Sequence, residues 1–149
     1  MPQNQTTDRW SPEETSTHQD HVIAHVMGAT VLGYFVHDEA VHLLLDIGFV
    51  WTVYLDGQMV LLPQSVAINE LAAGSEFRAE LNREVEKLDR EGREAQGLRH
   101  ITPAPVECLI TEVSFLANDD RRRLILLGDQ TSLVIGTSLS TAEIEISAG

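Results

Sequence analysis

The chain has 149 residues, 43% of them hydrophobic, and carries 10 Lys and Arg against 23 Asp and Glu for a formal net charge of −13. That length and composition fit one globular domain with its own core. The single cysteine, Cys108, excludes an internal disulfide and a cysteine-type zinc cluster, and the shortage of positive charge disfavours binding to a nucleic-acid backbone.

The polar start, MPQNQTTDRW, lacks the apolar core of a signal peptide, and no segment approaches the run of about 18 apolar residues that a membrane helix needs. The expectation is a cytoplasmic protein with no membrane partner: a flexible tail over residues 1–10 and a single domain over 11–149. Charge is unevenly placed along it. From Trp10 to Phe77 there are nine carboxylates and no lysine or arginine, and every basic residue except Arg9 falls between Arg78 and Arg123.

Ser11, Pro12 and Glu14 read as N-cap, first helical position and capping-box partner, and Val22, Ile23, Val26 and Met27 follow at helical spacing up to Gly28. This predicts a helix over 12–27. Short β-branched or aromatic runs then predict strands at 31–36, 40–46, 49–55 and 58–62. They are separated by His37-Asp38-Glu39, Ile47-Gly48 and Asp56-Gly57, the last a type I′ hairpin signal. A short helix over 65–73 and a longer one over 75–91, with Phe77, Leu81, Val85 and Leu88 as its apolar stripe, come next. Residues 92–105 read as a loop. Strands at 106–117, 122–127, 131–137 and 143–147 complete the chain.

The fold class is therefore α+β: two main helices packed on antiparallel β-meanders in the order α-β4-α-β4. Aligning 31–62 with 113–146 sets Asp38/Glu39 against Asp119/Asp120, which is compatible with a weak internal duplication. Several strands are apolar on both faces, and an antiparallel strand with one wet face should alternate instead. A second covering layer is expected, supplied by helices, by another sheet or by a partner subunit in a homodimer.

Candidate sites are sparse. On a helix over 12–27, Glu14, His18, His21 and His25 share one side and could hold a divalent metal, the one cofactor the sequence suggests, as a metal-dependent enzyme or metal sensor would; otherwise they form a solvated flank. His37, Asp38 and Glu39, with His42 close behind, place a histidine beside carboxylates that would raise its pKa toward general-base use, although turn chemistry explains the same residues. Cys108 lies in an apolar run, no serine sits in a nucleophile elbow, and no phosphate-binding glycine loop occurs. Tyr34, Phe49, Trp51 and Phe115 could line a carrier pocket between helix and sheet. The reading the sequence favours is a non-catalytic binding protein of the inhibitor, immunity or chaperone type. It engages a basic protein partner through Asp38, Glu39, Asp46, Trp51 and Asp56, with complementary charge speeding the encounter.

Overall fold

The alternating and two-faced apolar runs resolve into ten strands and three α-helices in the computed structural model, which describes residues 9–149. In chain order these are β1 (Ser11–Pro12), α1 (Thr17–Val26), β2 (Val31–His37), β3 (Ala40–Leu45), β4 (Phe49–Tyr54) and β5 (Met59–Pro63). Then come α2 (Gln64–Asn69), α3 (Ser75–Glu91), β6 (Thr102–Pro103), β7 (Glu112–Asn118), β8 (Arg121–Leu127), β9 (Ser132–Ser138) and β10 (Glu143–Ala148). The strands form two antiparallel sheets, sheet I in the order β1-β7-β8-β9-β10 and sheet II in the order β5-β4-β3-β2-β6. The α+β class holds, with α2, the short helix expected over 65–73, beside the two main helices, and with two further short strands, β1 and β6.

Burial explains the strands that are apolar on both faces. Along β3, Val41, Leu43 and Leu45 join Trp51, Val53, Phe115, Leu124, Leu126, Leu133 and Ile135 in a core between the sheets. Leu44 and Val50 point the other way, into a second core with Ile68, Leu81, Val85 and Leu88 of α2 and α3. Sheet II is thus the middle of three layers. The second cover comes from this chain's own sheet I and helices, so the apolar faces that suggested a homodimer are satisfied within one molecule.

A register shift in β2 between Val31 and Gly33 turns Val31 toward the first core and both Leu32 and Phe35 toward the second, the face-switching effect of a β-bulge. Gly33 is needed there: a Cβ would stand 2.8 Å from the Thr102 carbonyl oxygen and 3.1 Å from Leu88 Cδ1.

The N-terminal helix is shorter than its sequence suggests. Ser16 is the N-cap; its side chain accepts from the Gln19 N–H and the Gln19 side chain accepts from the Ser16 N–H. This box outcompetes the one expected at Ser11 and Glu14 because residues 11–13 gain tertiary partners. Ser11 and Pro12 pair with Ala117 and Leu116, and the Glu13 N–H donates to the Phe115 carbonyl at 2.8 Å. Helix α3 coincides with its predicted span. The strand expected from residue 106 starts only at Glu112. The preceding segment is a crossover between the sheets, held by Val31 N–H to Cys108 O and Ile110 N–H to Ala29 O.

The Asp56-Gly57 turn is not type I′. Gly57, at φ +88°, donates to the Tyr54 carbonyl after a three-residue loop, which is a type I turn with a glycine bulge. The type I′ geometry falls instead on Asp38 (φ 52°) and Glu39 (φ 59°). No helix among the described residues is long and apolar enough to cross a membrane. The tail expected at residues 1–10 lies outside the described residues as far as Asp8; Trp10 is packed on sheet I, as described below.

Candidate functional site

An antiparallel meander puts alternate turns at the same end of its sheet. Asp38 and Glu39 (between β2 and β3) and Asp56 (between β4 and β5) therefore share one end of sheet II, and the Leu55 N–H donates to the Glu39 carbonyl at 3.1 Å, lacing the two turns together. The corresponding turns of sheet I meet them there. Thr137 Oγ1 donates to the Leu55 carbonyl at 3.2 Å, and Phe115 lies against Gly57, so the Asp119-Asp120 turn extends past the same end. The start of α1 joins through Gln19 Nε2, which donates to the Gly57 carbonyl at 2.9 Å. Asp20 is held there by the Thr15 hydroxyl.

Asp38, Glu39 and Asp56 are exposed, and none forms an ion pair among the described residues. The Asp56 carboxylate accepts from the Gln58 N–H at 2.9 Å, which fixes its direction. Among the described residues one ion pair connects the acidic stretch with the basic one: Arg122 Nε lies 3.3 Å from Glu13 Oε1. Asp120 is held below the usual carboxylate range, first by its hydrogen bond to Ser140.

The other proposed residues scatter. Asp46 lies at the far end of β3, about 20 Å from Glu39 along a six-residue strand, where its carboxylate accepts from the Thr30 N–H at 2.8 Å. Trp51 is fully buried between the sheets and presents no surface to a partner. Tyr34 packs partly buried against that core and Phe115 lies within it; the hollow between the sheets beside Phe115 is only about 10 Å³, too small for a ligand.

On α1 the structure brings His21 and His25 together, Nε2 to Nε2 at 3.3 Å. Glu14 precedes the helix, and among the described residues no three His, Cys, Asp or Glu side chains converge to hold a metal.

His42 departs from the expectation of a raised pKa. Burial pushes it down from 6.5 to about 4, outweighing the hydrogen bond to His37 and the nearby Asp38 charge. Its Nε2 faces the His37 carbonyl at 3.4 Å and so carries the proton, leaving Nδ1 to accept from the Thr52 hydroxyl at 3.0 Å. The ring stacks on Phe35 with centroids 4.6 Å apart. It is a neutral core histidine, not an exposed base. His37 turns toward Phe77, and its Nε2 is buried without a hydrogen-bond partner among the described residues. Cys108 is likewise buried; desolvation raises its pKa and its thiol faces the Leu126 carbonyl at 3.5 Å.

Two arrangements escape the sequence reading. On α3, buried Glu84 accepts the backbone N–H groups of His100 and Ile101, each at 3.0 Å, while Glu80 pairs with His100 at 2.8 Å, a contact that lowers the Glu80 pKa. On the outer face of sheet I, the Trp10 ring lies under two guanidiniums, with Arg123 Cζ at 4.0 Å and Arg121 Cζ at 5.2 Å from its centroid. The spacing of Arg121 and Arg123, two positions apart in a strand, was the available sign of a shared face; their isolation in sequence hid it. No family model, curated protein or solved structure matches this chain.

Proposed function

We propose that this chain is a non-catalytic binding protein whose acidic end engages a basic protein partner. The observation that carries this reading is the gathering of Asp38, Glu39 and Asp56 on two laced turns, exposed and without ion pairs among the described residues. A set of carboxylates gathered on one end in this way steers a cationic surface during encounter and favours one orientation, with affinity that falls as salt rises. Asp20 and the Asp119-Asp120 turn broaden the same field. Asp46 and Trp51 take no part, the first by distance and the second by burial.

The test is affinity capture on the immobilised full chain beside its Asp38→Asn/Glu39→Gln/Asp56→Asn variant, at low and high ionic strength. The wild type is expected to retain at low salt a basic protein that the variant releases and that high salt elutes. Equal recovery by both forms, or no basic protein retained at low salt, overturns the proposal.

A further inference from the structure

Sheet I carries, on the face turned away from the core, opposite charges on either side of a strand that places only Gly136 and Ser138 between them. Register places Arg121, Ser138 and Glu143 in one cross-strand row and Arg123, Gly136 and Glu145 in the next. Leu124, Leu133 and Ile135 point into the core, so by strand alternation all six of these residues stand on the outer face. The cationic wall on β8 and the anionic wall on β10 are two strand spacings apart, about 9.6 Å.

Between the walls is a cavity of about 200 Å³, closed at one side by Trp10. Gly136 forms its floor, and a Cβ built there would meet nothing within 4 Å. Arg123 is half-buried against Trp10, and neither Glu143 nor Glu145 forms an ion pair with it among the described residues.

We propose that this slot binds a small zwitterion of the amino-acid or short-peptide class. The ligand carboxylate takes the guanidinium donors of Arg123, and its ammonium lies between Glu143 and Glu145. The chain joining them crosses Gly136 beside the Trp10 ring. A simple anion would meet the glutamates and a simple cation the arginines; a molecule with both charges is complementary to both walls. At about 30 Å³ per water, the cavity holds roughly seven water-sized groups, which matches a dipeptide backbone better than a longer peptide. The slot abuts the Asp119-Asp120 turn, where the Ser138 hydroxyl faces Asp120 at 3.5 Å, but it does not depend on the role proposed for Asp38, Glu39 and Asp56.

The experiment is an NMR titration of the full chain with diglycine, read at the backbone amides of Arg123, Gly136 and Glu145 and at the Trp10 indole N–H. Trp51 is fully buried and serves as the internal control. Saturable shifts confined to the first group are expected, with N-acetyl-diglycine and diglycine amide losing saturation. Arg123→Gln and Glu145→Gln should each weaken binding about tenfold, the loss of one charged contact. Gly136→Val should abolish binding while keeping a dispersed spectrum, since the strand has open space for the new side chain. Absence of saturable shifts, equal binding of the capped peptides, or undiminished binding by Gly136→Val overturns the proposal. If Gly136→Val does not fold, unchanged affinity in both Arg123→Gln and Glu145→Gln does so instead.

Discussion

His42 shows how one side chain can be misread from its neighbours in sequence. Adjacent acids stabilise an imidazolium in water, but His42 sits under Phe35 with both ring nitrogens facing protein partners, so desolvation dominates. The consequence for stability has a definite sign. The folded pKa of about 4 lies below the ordinary 6.5, so the unfolded chain binds more protons between those values. This histidine's contribution is complete above pH 6.5 and is lost as pH falls toward 4, a difference of roughly 3 kcal/mol for a shift of that size. Urea denaturation across this window should show the loss, and His42→Gln should flatten the pH slope relative to wild type. Identical slopes in the two proteins would show that His42 is not the group responsible.

Among the elements, α3 and the loop after it are joined by a carboxylate rather than by apolar packing alone. The span of α3 was legible because its apolar stripe, the preceding Gly74 and the following Gly92 are all local signals. The role of Glu84 was not legible, because its partners, the amides of His100 and Ile101, lie 16 and 17 residues away. Glu84→Ala strands these amides in a largely buried position and should cost about 2–3 kcal/mol by chemical denaturation. Glu84→Gln, which keeps one acceptor, should cost less. Equal stability of all three proteins would mean that water replaces the carboxylate. The same logic explains α1: a helix start can be read from Ser11 or from Ser16, and the choice was made by β7, which takes up residues 11–13.

For the whole molecule, the net charge of −13 is met by few close ion pairs among the described residues: Glu80 with Arg99 and His100, and Glu13 with Arg122. A compact state with this imbalance repels itself, and salt screens the repulsion. Raising ionic strength should therefore stabilise the fold by on the order of 1 kcal/mol, several degrees in Tm, while weakening any partner held at the acidic turns. A Tm that stays flat with salt would show the field to be neutralised internally.

The sequence by itself determined the two four-strand meanders, the long helix, most turn positions and the demand for cover on both faces of β2 to β4. These follow from hydrophobic period and turn residues, which act over a few positions. Only the tertiary structure decided that the two meanders face each other, that α2 and α3 cover the far side, and that Asp38, Glu39 and Asp56 share an end while Asp46 does not. It also set Arg123 and Glu145 across Gly136, residues that sequence separates by 22 positions and the register by two strands. Strand order and sheet facing are chosen by the burial of whole surfaces at once, and no local pattern carries that information.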